Sequence, residues 1–297
     1  MNIQWYPGHM TKAKRRMEQD VKLVDMIIEL LDARAPMATR NPDIGRLSKG
    51  KEKLILLNKS DLADQSVTKQ WSEYFKAEGA YCIALDGRKR DSIDRVKKAA
   101  DILLKEKREK DVKRGIIGDR PVKAMICGIP NVGKSTFINS MLGRASVKTG
   151  NKPGVTRGNQ WININDGLLL LDTPGVLWPR LDSEHTSECL ALIGSINDDI
   201  VNLEELSMVL LDHLLNNYRA ELFKRYDISD SDYKTALDNV EDGILGVKRE
   251  PLALLNIISA KRGCLKKGAQ FDYAKASRLV IDDFRSGRLG RISLERP

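Results

Sequence analysis

Ala124-Met125-Ile126-Cys127-Gly128-Ile129-Pro130-Asn131-Val132-Gly133-Lys134-Ser135 decides the fold. Ala124–Cys127 is an apolar, strand-sized run, and Gly128–Ser135 matches GxxxxGK[ST] in full. Helical spacing follows over Ser135–Leu142. A chance glycine turn would lack that strand before it and helix after it. The glycines let the loop over Pro130, Asn131, Val132 and Gly133 curl around phosphate oxygens, with the N–H groups of the last three as donors, and the amides of Ser135 and Thr136 open the helix toward the same anion. Lys134 is placed to reach the β- and γ-phosphates, and the Ser135 hydroxyl to hold Mg²⁺.

Working outward, four more apolar runs read as buried strands: Met26–Leu31, Leu54–Leu57, Tyr81–Leu85 and Leu168–Leu171. Near-continuous apolar strands suit a parallel sheet covered on both faces. Helical stretches at Gln65–Glu78 and Ser92–Lys107 alternate with them, which argues for an α/β domain. Trp161–Asn165 alternates and reads as an edge strand returning into Leu168–Leu171 across Asp166-Gly167. The charge-dense stretch Lys105–Arg120 reads as an exposed linker. After Pro179 strand signals fade, and 184–226 and 250–285 are helix-like.

Two further motifs give the nucleotide a base and a γ-phosphate sensor. Asp172-Thr173-Pro174-Gly175 follows an apolar strand, so Asp172 can join the Mg²⁺ shell and Gly175 can offer its N–H to the γ-phosphate. Asn58-Lys59-Ser60-Asp61 resembles the NKxD guanine reader: Asp61 can accept from guanine N1–H and the 2-amino group, which adenine does not offer together. Alone, each motif is also an ordinary turn or helix cap. Asp86-Gly87 is placed like the loop that closes over the base, although related GTPases carry Ser-Ala there. The order is guanine reader, phosphate loop, γ-phosphate sensor, whereas in ordinary Ras-like GTPases the guanine reader comes last. The expected fold is therefore α/β: a circularly permuted Ras-like P-loop GTPase domain over 1–179, with a mostly parallel sheet between helices, then a small all-α domain over 180–297.

The chain has 297 residues and a net charge of +9, but the charge is segregated. It is positive over 1–178, negative over 179–243 and positive again over 244–297. The basic end (Lys248, Arg249, Lys261, Arg262, Lys266, Lys267, Lys275, Arg278, Arg285, Arg288, Arg291) fits an RNA backbone or a solvated helical face; Phe271 and Tyr273 fit base stacking or a core aromatic pair. The four cysteines form no CxxC pair, and the three histidines show no metal-ligand spacing with them, which argues against structural zinc. No apolar run is long enough to span a bilayer, and no signal peptide is readable, so a cytoplasmic protein without a membrane partner is expected. No long coiled coil is readable either, which favours a monomer.

The opening Ile3-Gln4-Trp5-Tyr6-Pro7-Gly8-His9-Met10, Asp32-Ala33-Arg34, Arg40-Asn41-Pro42, NKSD, GIPNVGKS, Lys152-Pro153-Gly154, DTPGVLWP and Lys261-Arg262-Gly263-Cys264-Leu265 together resemble the bacterial ribosome biogenesis GTPase A family, also called RbgA or YlqF, nearly end to end. The resemblance implies a cytoplasmic factor that binds the precursor of the large ribosomal subunit, its rRNA and ribosomal proteins. It implies particle-stimulated hydrolysis of GTP to GDP, late in assembly. It makes Thr156 the switch threonine that completes the Mg²⁺ shell, and it places Asn131 where related GTPases hold K⁺ or merely shape the loop. The position that often carries a water-orienting Gln is Val176. His9 is then the candidate to position water, with an RNA contact as the alternative. Two rival classes compete: a small-molecule kinase, which NKSD argues against, and an RNA scaffold with a relic site, which intact Lys134, Ser135, Thr156 and Asp172 argue against.

Overall fold

The computed structural model describes residues 15, 17–113, 121–143, 160–165, 168–173, 183–240 and 248–297. Its centre is a six-stranded sheet with the order β3-β2-β1-β4-β6-β5. The strands are β1 (Met26–Asp32), β2 (Glu52–Asn58), β3 (Tyr81–Ala84), β4 (Val122–Cys127), β5 (Gln160–Asn165) and β6 (Leu168–Asp172). All neighbours run parallel except the edge pair β5–β6, with a register shift between Asn163 and Asn165. Apolar runs such as Leu54–Leu57 are buried on both faces because helices cover both sides. The connecting turn at Asp166-Gly167 lies outside the described residues.

Helices α1 (Pro36–Thr39), α2 (Pro42–Leu47), α3 (Gln65–Ala77), α4 (Arg90–Lys113) and α5 (Lys134–Leu142) accompany the sheet. α3 starts at Asp64, whose carboxylate accepts from the N–H groups of Ser66 and Val67. It buries Val67, Trp71 and Phe75 on one face of β1 and β2. α4 corrects the linker expected at Lys105–Arg120. Helix continues to Lys113, since Lys, Glu and Arg are good helix formers and no glycine or proline interrupts them before Gly115.

The described part of the second half is mostly helical, with one isolated antiparallel bridge between Leu265 and Phe271: α6 (Glu184–Leu192), a 3₁₀ turn at Asp198–Ile200, α7 (Leu203–Asn217), α8 (Arg219–Tyr226), α9 (Asp230–Asp238), α10 (Arg249–Lys261) and α11 (Tyr273–Arg285). α11 and α10 pack on α7, and α9 packs on α10. One apolar core runs from Ile28, Leu56 and Phe137 through Leu190 and Leu210 to Ile258 and Phe284. The C-terminal tail then returns to the sheet. Ile292 N–H donates to Leu62 O at 2.9 Å and Leu294 N–H to Arg34 O at 2.7 Å.

Candidate nucleotide-binding site

The carboxyl ends of β2 and β4 meet across β1, where the direction of the sheet's winding reverses. Open α/β sheets bind ligands at such a crevice. Asn58, the last residue of β2, is buried and joins three segments. Its Nδ2 donates to Val132 O at 2.8 Å, and its Oδ1 accepts from Gly87 N–H at 2.9 Å. Gly133, at φ +97°, is the residue that this approach requires, because a Cβ there would collide with the Asn58 amide. Lys59, at φ +58°, donates from Nζ to Asn131 O at 2.8 Å and pairs with Asp32 Oδ2 at 3.0 Å. Arg34 closes on the same carboxylate through two bonds of 2.9 and 2.8 Å, with its guanidinium over the Phe284 ring. Burial pushes Asp32 up, but Arg34 and Lys59 outweigh it and hold the carboxyl well below its ordinary range. Burial likewise lowers Lys59, with Asp32 opposing.

Ser60 N–H donates to Leu85 O at 3.1 Å, which sets the guanine-reading turn against the loop carrying Asp86. Asp61 Oδ2 accepts from Arg88 Nη2 at 2.8 Å, and Arg88 Nε donates to Asp86 Oδ1 at 2.8 Å. Asp61 Oδ1 is buried and has no partner. Ser60, Asp61, Leu85 and Asp86 line a cleft of about 760 Å³, walled farther out by Arg95 and Arg291. Arg88 presents its Nε and Nη2 fork to the two oxygens of Asp86, at 2.8 and 3.0 Å, and gives Asp61 one bond from Nη2.

At the other end, Lys134 is buried between the ends of β4 and β6. Its Nζ donates to Asp172 Oδ1 at 2.9 Å and to Thr173 O. Thr173 Oγ1 donates to Ile126 O at 2.9 Å and pins β6 to β4. Gly128 leaves room for Leu30 O, 2.9 Å from where a Cβ would stand. Asp172 is fully buried, yet its Oδ2 has no partner. A buried, unpaired carboxylate oxygen beside a phosphate loop, with the Ser135 hydroxyl on the first turn of α5, is a donor set that fits Mg²⁺. The bound ion would supply positive charge on the β- and γ-phosphate oxygens. The helical half also reaches this loop. Ser195 Oγ donates to Pro130 O at 2.9 Å and Asn131 Nδ2 to Gly194 O at 2.7 Å. Arg285 holds that turn by donating to Ala191 O and Leu192 O while pairing with Asp198.

Known proteins match this chain over nearly its whole length. A family model described as "50S ribosome-binding GTPase" matches residues 123–237. Ribosome biogenesis GTPase A of Bacillus licheniformis is 40% identical, over 100% of this chain and 99% of that protein. The chain belongs to the ribosome biogenesis GTPase A family. Two solved members of that family have the same fold. A GDP-bound YlqF structure covers 95% of this chain and 99% of its own, at 29% identity and a TM-score of 0.59. A GNP-bound YlqF from T. maritima covers 96% and 98%, at 30% identity and 0.58. The family is one of GTP hydrolases, and the fold class is the one expected from the order of the motifs.

Within this ribosome biogenesis GTPase A fold, Asn58, Lys59, Ser60, Asp61, Asp86 and Gly87 gather at one end of the crevice, and Pro130–Ser135 with Asp172 at the other. Thr136 is exposed on α5. His9, Thr156 and Gly175 lie outside the described residues. Sequence reading missed two contributors. Arg88 carries only a weak local signal, standing two residues after an Asp that accepts from its N–H at 3.1 Å. Gly194-Ser195 carries none, because its bonds to the phosphate loop are tertiary.

Proposed function

We propose that this GTPase binds the immature large ribosomal subunit and hydrolyses GTP in a late step of its assembly. The observation that carries the chemistry is the pair of partnerless buried oxygens, Asp61 Oδ1 in the Asn58–Asp61 turn and Asp172 Oδ2 beside the phosphate loop. Guanine donors satisfy the first, and the Mg²⁺ shell satisfies the second. The partner rests on full-length kinship with proteins named for ribosome biogenesis.

In this reading 1–179 is the GTPase unit and 180–297 the rRNA-binding unit, joined by the common core. Thr156 completes the Mg²⁺ shell and Gly175 senses the γ-phosphate. Asn131 ligates K⁺, whose charge eases transfer of the phosphoryl group, and His9 orients water. Several basic side chains of the last segment spend their charge within the chain. Lys248 pairs with Asp212, Lys261 with Asp232 and Arg288 with Asp283. Lys266, Lys267 and Arg278 are exposed and make no ion pair among the described residues, so they are the rRNA contacts of this proposal. The protein acts as a cytoplasmic monomer on rRNA and ribosomal proteins.

The test is GTP turnover in K⁺ buffer and in Na⁺ buffer, with and without large subunits, for wild type and His9→Ala. K⁺-dependent stimulation by the subunits, lost in His9→Ala, is expected. Turnover indifferent to subunits overturns the proposed partner. Stimulation retained in His9→Ala removes that residue from the water's path.

A further inference from the structure

α6 places His185 and Cys189 one turn apart, and the C-terminal tail brings Glu295 to the same spot. The three ligand atoms all lie within 4.8 Å of one another. We propose that His185, Cys189 and Glu295 form a binding site for a zinc-class divalent cation, separate from the nucleotide site. This revises the reading that no histidine stands at ligand spacing from a cysteine. An i, i+4 pair is such a spacing once the segment is helix, and the third ligand arrives only through the fold.

The geometry suits that ion. Cys189 Sγ and His185 Nε2 are 3.6 Å apart. Bonds of about 2.3 Å to sulfur and about 2.1 Å to nitrogen at a tetrahedral angle put the two atoms about 3.6 Å apart. Glu295 is already anchored through both carboxylate oxygens. Its carboxylate accepts from Met37 N–H at 2.8 Å and from Ala38 N–H at 3.0 Å, which is the outer-shell support that ligating carboxylates receive. The Glu188 and Glu295 carboxylates lie near the buried Cys189, while His185 is exposed and leaves a path from solvent. Soft sulfur with imidazole and one carboxylate selects zinc over Mg²⁺ and leaves the fourth position to water. Binding exchanges the Cys189 thiol proton for the metal and releases that proton to solvent. The ion would fasten α6 to α1 and to the tail that buttresses the guanine-reading turn.

The test uses the full chain, stripped with a chelator and titrated with Zn²⁺, and with Co²⁺ as a spectroscopic probe, in excess Mg²⁺. One equivalent of Co²⁺ is expected to bind with a thiolate-to-cobalt charge-transfer band and tetrahedral ligand-field bands, and Zn²⁺ to displace it. His185→Ala, an exposed position that leaves the core intact, is expected to weaken binding by more than the roughly 10–100-fold that loss of an outer-shell partner costs. Cys189→Ser is expected to abolish the charge-transfer band, and Glu295→Gln to weaken binding while keeping it. Absence of that band in wild type, or equal affinity in wild type and His185→Ala, overturns the site and leaves a simple S–H···N contact.

Discussion

The two ends of the nucleotide crevice are built on different principles. At the guanine end most polar groups are tied to one another, with Asp61 Oδ1 and Arg34 Nη1 left over. Asn58 joins three loops, Lys59 and Arg34 share Asp32, and the tail adds backbone bonds from Ile292 and Leu294. At the phosphate end one ammonium faces one carboxylate, Lys134 on Asp172, with an oxygen left over. The first end is a frame that holds a shape. The second is a charge pair around Lys134, whose Nζ gives two of its three donors to Asp172 Oδ1 and Thr173 O and keeps one for a ligand.

That contrast can be broken by substitution. Lys134→Ala removes the phosphate-end cation and should cut GTP turnover by about 10²–10³-fold, the typical loss of one transition-state donor, and lower folding stability by about 3 kcal/mol, because the buried Asp172 carboxylate loses its ion-pair partner. Turnover near wild type would move the charge stabilisation elsewhere. The frame has its own electrostatic test along β1, where Asp32 is compensated and Glu29, three residues earlier, is not. Burial raises Glu29 from 4.5 to about 7, against the charge of Arg40 and the Asn41 N–H. The folded chain therefore holds that proton more tightly than the unfolded chain. The Glu29 contribution is full below about pH 4.5 and is lost as pH rises through 7. Glu29→Gln should remove this slope and raise stability at pH 8 by on the order of 3 kcal/mol, measured by denaturant unfolding. Asp32, held low, has the opposite sign, and its contribution is lost as acid protonates it.

Asp61→Asn should weaken GDP about 10²-fold, from two hydrogen bonds to a charged acceptor at about 1.5 kcal/mol each, and shift preference toward xanthine nucleotides, whose 2-oxo group accepts from an amide. Unchanged selectivity in a calorimetric titration would take Asp61 out of base recognition. Asn58→Ala strands a buried Gly87 N–H and a Val132 carbonyl. It should cost about 2 kcal/mol of folding stability and loosen both ends at once. If nucleotide affinity fell with no loss of stability, Asn58 would be a ligand group and not part of the frame.

Much of this was legible beforehand. Gly128–Ser135 follows β4 and opens α5 because apolar alternation, glycine placement and helix spacing all act over a few residues. The same locality made NKSD and DTPG readable at the ends of β2 and β6. α4 ran past its expected end because a charge-dense segment reads equally as linker or as exposed helix, and the choice depends on what its apolar positions, such as Val96 and Leu103, can bury against.

By itself, then, the sequence determined the sheet's strands, the phosphate loop, the guanine-reading turn and their permuted order, since each depends on residues adjacent in the chain. Only tertiary structure decided that Asn58 would bond Val132 and Gly87, that Arg88 would stand on Asp61, that Ser195 would hold Pro130, and that Glu295 would arrive beside His185 and Cys189. Those contacts join residues tens to hundreds of positions apart. They form only when burial of one continuous core brings the helical half and its tail back onto the sheet, and no periodicity in the chain encodes where two distant side chains come to rest.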